Sequence, residues 1–540
     1  MPDSPASESE SDFVCDCEES FRSACAGEPF YSEHEGKRYC VLHFPGEKSA
    51  ADFDIAGRRK IENEEFDFRG VYFPGSVSFL LLNFSATANF SYATFAAEAD
   101  FGPCSFNAEA DFSHAIFKAD AHFGLVDFSE TADFSHAKFD AKAGFGNMDF
   151  NARACFKKAS FSALADFRKA SFKAAAEFSE ATFSEISAFS DATFSADADF
   201  GVATFGGRAV FTGASFGATA EFNRATFSAD AEFDFAGFNA PANFACSTFS
   251  ARAFFNLATF NEEAYFTYAT FRAEANFSNV TFNAKALFKN ATFSDYITFA
   301  GGEDVQVFSP ASSLDLQFAR IEKPDRLSFH TLSLHPHWFV NADPRAFDFI
   351  NVHWNNSGKA KEELELLRSK DIGSPHRLLA IACRKLAANA EDNNRYREAS
   401  HFRRMAFDAE RLETWHGFDV RRLNWWYWIA SGYGERPFQA LLVLIGILVL
   451  FGLLYTQVGF SRWEPRLASE AEVATAKKDD IGAPLKFSRA LTYSSLVMTL
   501  QKPEPRPATT AAQTVVLLET ILGPVQAALL ALAIRRKFMR

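Results

Sequence analysis

Between residues 66 and 300 the chain repeats one pattern of small, polar and large apolar positions. Stepping by eleven from Phe68, all 22 positions to Phe299 are Phe, and stepping by eleven from Phe73, all 21 positions to Phe293 are Phe. The spacing therefore alternates five and six, and two residues before the ladder Phe sits Ala in 32 of the 43 cases, with Cys104, Ser187 and Ser247 among the exceptions. A helix cannot hold a five-then-six spacing on one stripe. A strand places residues two apart on one face, and stacked coils repeat the same side chain at the same place. The pattern thus predicts a β-solenoid with Ala and Phe inside and the intervening Thr, Ser, Asp or Glu outside. In ATFSADADFGVATF, residues 192 to 205, Ala192 and Phe194 point in, Thr193 points out, and Ala198 and Phe200 point in after a polar turn. The ladder Phe are core, and none is a ligand site.

After Phe299 the ladder slips to Phe308, Phe318 and Phe329, and the Ala-before-Phe rule ends. Residues 301–357 read as a cap that covers the last coil with Trp338, Phe339, Phe347, Phe349 and Trp354. The histidines of that stretch lack a supporting carboxylate spacing and read as packing. Helical periodicity follows over 358–414, as a helical hairpin or trio, and 393–412 resembles the second half of a tetratricopeptide unit. Trp425, Trp426, Tyr427 and Trp428 then mark an interfacial aromatic helix and elbow over 415–437. The run FQALLVLIGILVLFGLLY, inside 438–456, is long enough to cross about 30 Å of hydrocarbon, and 513–534 forms a second such run. Between them, 457–512 reads as an extracytoplasmic loop in which 487–500 is too short to span and suits a re-entrant pore helix. The basic tail 535–540, with Arg535, Arg536, Lys537 and Arg540, places the C-terminus in the cytosol.

Composition sharpens this outline. Phe supplies 65 of 540 residues against 12 Tyr and 7 Trp, so one aromatic serves as a standard part. The net charge of −14 is split: residues 1–65 carry 16 acids and 7 bases, 66–300 carry 26 and 16, and 301–540 carry 26 and 31. An acidic front half argues against a nucleic-acid groove, which needs clustered Lys and Arg. Eight Cys and no apolar run after Met1 argue against a secreted disulfide scaffold, and a cytosolic, reduced N-terminus is expected. No nucleophile elbow, phosphate loop or partnered carboxylate pair stands out, so the chain is not expected to be an enzyme.

Two places carry candidate chemistry. Cys15, Cys17, Cys25, Cys40 and His43 fall within residues 1–65, an acidic segment with little apolar content. Zinc takes four soft or borderline ligands in a tetrahedron, and such a segment gains folding free energy from a structural site. Cys15, Cys25, Cys40 and His43 are the expected ligands, with Cys17 as the alternative to Cys15. At the membrane end, Glu519 lies about five residues into the second run, and an acid there is a candidate functional group. Tyr493 and Thr499 join it as pore-associated residues, while Gly523 and Pro524 could bend the helix.

The ladder over 66–300 resembles the pentapeptide-repeat family, here with an 11-residue double unit and Phe where Leu is commoner. That resemblance implies a mainly β fold, a right-handed quadrilateral β-solenoid of some ten coils, followed here by the helical connector and two transmembrane helices. YCVLHFPGEKSAADF, residues 39–53, resembles the zinc-knuckle lead-in of such chains. ALTYSSLVMTL, residues 490–500, resembles the pore helix of two-helix potassium channels, but Gln501, Lys502 and Pro503 follow where the carbonyl filter should stand, so potassium selectivity does not carry over. As a whole the chain resembles bacterial membrane-bound pentapeptide-repeat proteins with a channel-like end. The implied protein is a channel-like or sensory scaffold that sits in the inner membrane with both termini cytosolic, assembles as a homo-oligomer such as a tetramer, and binds a protein partner through its solenoid. A non-conducting anchor is the alternative. Some relatives imitate DNA and modulate topoisomerases, but the net −10 of 66–300 falls well short of the roughly 30 charges on 50 Å of duplex.

Overall fold

The computed structural model describes residues 13–25, 27–302, 305–356, 358–368, 373–413, 423–461 and 484–538. Much of the 457–512 loop and Arg540 lie outside them. The chain divides into two compact units, 1–355 and 356–540.

The first unit is a parallel β-solenoid of about 13 turns. Its two-residue strands stack into four sheets of 11, 12, 13 and 10 strands, which form the four faces. Partners are 22 residues apart, as in Ala110 with Ala132 and Asp111 with Asp133. The ladder Phe are buried, and Phe172, Phe194 and Phe216 stack with ring centroids 4.8 and 4.9 Å apart. Small Ala at the neighbouring inward position leaves room for these rings, and Thr193 stays exposed.

The unequal spacing follows from two kinds of corner. After Phe68, Phe79 and Phe90 the chain makes a tight turn closed by Val71, Leu82 and Ala93 N–H donating to those Phe carbonyls at 3.2, 3.1 and 3.0 Å. The third residue of each turn has left-handed backbone: Gly70 (φ 64°), Leu81 (59°) and Tyr92 (59°). Elsewhere this position is mostly filled by non-glycine residues such as Lys158, Glu180 and Phe235, each held there by the stack at a cost of about 1–3 kcal/mol. The intervening corners take one residue more, which gives the six.

Parallel stacking continues past residue 300. Ile297–Ala300 pairs with Leu327–His330, which pairs in turn with Asp348–Ile350. Phe329 stacks on Phe299 at 5.4 Å, and Phe349 stacks on Phe329 at 5.4 Å. Leu314, Leu316, Leu327 and Leu334 fill the interior where Ala and Phe stood, and Trp338, Phe339, Phe347, Phe349 and Trp354 are buried.

Ahead of the solenoid, β1 (Phe30–His34) and β2 (Lys37–Cys40) form an antiparallel hairpin. Helix α1 (Ala50–Glu62) starts at Ser49, whose hydroxyl accepts the Asp52 N–H at 3.3 Å. Its Phe53 meets Phe73 of the first coil edge-on at 5.4 Å.

The second unit is helical. In α2 (Ala360–Arg368), α3 (Pro375–Asp392) and α4 (Tyr396–Leu412), Leu364, Leu367, Leu379, Cys383, Leu386, Phe402 and Met405 are buried. Helix α5 (Leu423–Ser431) carries the Trp cluster, and residues 432–436 turn the chain into α6 (Pro437–Tyr455). Helices α7 (Phe487–Met498) and α8 (Thr510–Phe538) complete the unit.

Candidate functional site

The five N-terminal donors converge. Cys15 and Cys17 lie just before a short 3-10 segment that ends at Cys25, Cys40 closes β2, and His43 follows in the next turn. Cys15, Cys17, Cys25 and His43 each place a ligand atom within 4.8 Å of the others. The Cys40 Sγ is 3.3 Å from His43 Nδ1, and the Cys17 and Cys25 sulfurs are 3.9 Å apart. All five residues are buried. Both Cys15 and Cys17 therefore reach the centre with Cys25 and His43, and Cys40, expected as a ligand, stands outside that group of four and joins it through its contact with His43.

The surroundings suit a cation. His43 Nε2 donates to the Arg69 carbonyl at 2.8 Å, which fixes the tautomer and leaves the Nδ1 lone pair for the cluster. The Cys40 N–H donates to Cys15 Sγ at 3.4 Å. Hydrogen bonds from Cys17, Cys25 and Cys40 hold the Cys15 thiol far below the ordinary thiol range. As donors to it, and through burial, Cys17 is pushed up to about 11, Cys40 to about 12, and Cys25 upward as well. A divalent ion bound there would draw protons from the cysteines, because the thiolate is the ligand.

At the other end, α6 and α8 are long and apolar enough to cross a membrane, and only 22% and 17% of their apolar windows are buried within the chain. The buried helix of a soluble core would be covered on most sides. Glu519, on α8, is fully buried. The Tyr455 hydroxyl at the end of α6 donates to its Oε2 at 2.5 Å, and the Ser494 hydroxyl on α7 donates to Oε1. One carboxylate thus ties three helices together. Around it Phe451, Tyr455, Phe460, Leu485, Ala490, Tyr493 and Val497 form an apolar cluster, with Tyr493 edge-on to Tyr455 at 5.0 Å. Thr499 stands apart from this group. It is exposed, and its hydroxyl donates to the Ser495 and Leu496 carbonyls within α7.

The elbow is also built from specific bonds. Gly434 has φ 74°, and a Cβ there would lie 2.8 Å from the Tyr427 hydroxyl, so the turn requires glycine. Gln526 of α8 donates to the carbonyls of Ala430 and Ala440 at 2.7 and 2.8 Å, joining the ends of α5 and the start of α6. Glu435 accepts from Ser400 and lies 3.9 and 3.5 Å from Arg403 and Arg536. Sequence reasoning missed Tyr455, Ser494, Gln526 and Glu435. A lone amide inside an apolar run is the one signal that could have found Gln526.

Comparison with known families acts on the solenoid. Residues 156–204 match the family model described as Pentapeptide repeats (9 copies). The solenoid is built of pentapeptide repeats. No curated protein and no solved structure matches the chain. Two groups of candidate chemistry described above, the N-terminal Cys/His cluster and the Glu519 tie among the C-terminal helices, lie outside the matched stretch.

Proposed function

We propose that this protein is a membrane-anchored scaffold: a pentapeptide-repeat solenoid that offers its faces to a protein partner in the cytosol, tethered to a bacterial inner membrane by the hairpin of α6 and α8. Four soft and borderline donors from the N-terminal cluster hold a structural zinc ion, through Cys15, Cys25, Cys40 and His43 with Cys17 in place of Cys15 as the alternative. Both termini face the cytosol, in keeping with Arg535 and Arg536 at the end of α8.

The membrane end is channel-like and works as a homo-oligomer such as a tetramer. The observation that carries this reading is the Glu519 carboxylate, which holds the twelve-residue α7 against both spans. A helix that short cannot span a bilayer, and non-spanning backbone at membrane depth is tolerated only where it is buried in protein or lines a water-filled cavity. The absence of a glycine-rich filter after Leu500 supports a second reading, a non-conducting anchor. Topoisomerase modulation by DNA mimicry is the third, and ion pairs such as Arg153–Glu177, Arg208–Glu232 and Arg252–Asp230 weigh against it by neutralising the acidic faces.

Single-channel recording in planar bilayers tests the proposal, with full-length protein compared against a version whose residues 487–507 are replaced by a flexible loop. Discrete conductance lost on replacement is the expected result. Silence from folded, oligomeric protein favours the anchor, and recovery in the soluble fraction would refute both membrane readings.

A further inference from the structure

Every coil inside a solenoid finds backbone partners in the coils on either side, whereas the first coil has no predecessor. Two groups show what it lacks. In the second and third coils the carbonyls of Ser91 and Ser113 accept from Gly70 and Tyr92 N–H, both at 2.9 Å. The N–H groups of Thr94 and Ile116 donate to the carbonyls of Val71 and Ala93 at 2.9 and 2.8 Å. The equivalent groups of the first coil are the Arg69 carbonyl and the Tyr72 N–H, and no earlier coil exists to meet them. Buried backbone groups left unpaired are costly, and an open strand edge invites pairing with another chain.

Both positions are filled by one five-residue turn. His43 Nε2 donates to the Arg69 carbonyl at 2.8 Å, and the Leu42 carbonyl accepts the Tyr72 N–H at 3.1 Å. The turn is closed by Phe44 N–H donating to the Cys40 carbonyl at 3.0 Å, and within it the Cys40 Sγ and His43 Nδ1 are 3.3 Å apart. Ring stacking is continued in the same way. Tyr92, His114 and His136 stack along one corner at 4.5 Å, and Phe21, from the segment between Cys17 and Cys25, meets Tyr92 at 5.3 Å. Phe21 also occupies the space over Gly70, where a Cβ would lie 2.4 Å from its ring.

We propose that the Cys/His centre is the latch of the solenoid's first coil: a bound divalent cation fixes the Cys40–His43 turn as a surrogate coil, and loss of the cation opens the coil edge at Arg69 and Tyr72. The inference rests on the zinc reading given above. With the ion in place, His43 uses one ring nitrogen for the metal and the other for the solenoid, so occupancy is transmitted to the first coil through a single imidazole. Leu42, held between two ligands, carries the second contact.

The test is amide hydrogen exchange on full-length, detergent-solubilised protein whose zinc content is measured before and after chelation. In the latch, stripping the ion accelerates exchange across residues 66–77 at least tenfold, leaves 178–260 unchanged, and is reversed by added zinc alone. Cys40→Ser reproduces the accelerated state and Cys246→Ser, at an exposed position, does not. Unchanged exchange over 66–77 in protein shown to have lost its zinc would overturn the latch while leaving the metal site standing, as would uniform acceleration along the solenoid. Protein that neither contains nor takes up zinc would overturn the zinc reading and the latch with it.

Discussion

Phe200 is the sharpest place to test what holds the solenoid together. Its ring is fully buried between Phe178 and Phe222, at 4.8 and 4.9 Å and within 3° of parallel. Phe189, Phe211 and Phe194 meet it edge-on at 5.4, 5.3 and 5.8 Å. Phe200→Ala removes a side chain whose loss from a core costs roughly 3–5 kcal/mol. Little relaxation can close the gap, because the rings above and below are held at strand spacing by their own coils. The cost therefore falls near about 4 kcal/mol, or on the order of a thousandfold in an opening equilibrium. Native-state amide exchange reads this directly at Phe200, Val202 and Thr204, whose N–H groups donate to the Glu221, Asn223 and Ala181 carbonyls. Because each coil contacts only its neighbours, the effect fades within two or three coils. Phe235→Ala is the control: that ring is 62% exposed at a corner, and its removal costs less than about 1 kcal/mol. Acceleration below tenfold for Phe200→Ala, or no greater than for Phe235→Ala, would refute the claim that ring stacking carries the stability of the coils.

Three further outcomes follow from the structure. Glu519→Gln sets an amide N–H₂ against one of two donating hydroxyls, so it should cost roughly 1–3 kcal/mol and lower the melting temperature in detergent, and an unchanged melting temperature would count against the three-helix tie. In zinc-loaded native protein, iodoacetamide at pH 8 should modify the exposed Cys246 and spare Cys104, pushed up by burial to about 12, and Cys383, which burial also raises; labelling of Cys383 before unfolding would contradict its packing. The Arg153 hydrogen bonds hold the Glu177 carboxyl below its ordinary range, so their stabilisation is complete above about pH 4–5. It is lost as pH falls through the depressed folded value. Local exchange near Glu177 should accelerate in that acid window in the native chain and not in Glu177→Gln.

The coils were legible because translation along a stack forces the same residue type into the same place, and the Phe and Ala periods state that translation outright. Their corners were not, since nothing about Tyr92, Lys158 or Glu180 as residue types announces a positive φ; the stack imposes it. The end of the stack was misplaced for a related reason. The Ala-and-Phe rule stops near residue 300, but Leu314, Leu316, Leu327 and Leu334 keep the two-residue alternation and support further strands to Trp354. The clustered cysteines and His43 stood out by their types and spacing. Their bonds to Arg69 and Tyr72 did not, because these join residues about 26 to 30 positions apart through backbone atoms that any sequence carries. Likewise Glu519 stood out as an acid in an apolar run, while Tyr455 and Ser494 are polar residues of no special spacing until three helices bring them together.

The 22-residue register makes reach and heading separate heritable quantities. Excising residues 178–199 would join Glu177 to Phe200, which occupies the same place one coil later, and would shorten the rod by one 4.8 Å step with both ends intact. Excising eleven residues would preserve the spacing of five and six and the alternation of corners, yet would exchange each face downstream for the opposite one, so that the last strand left on the other side of the rod. Genetic drift in units of 22 can therefore tune how far the rod extends, while a single unit of eleven turns it about.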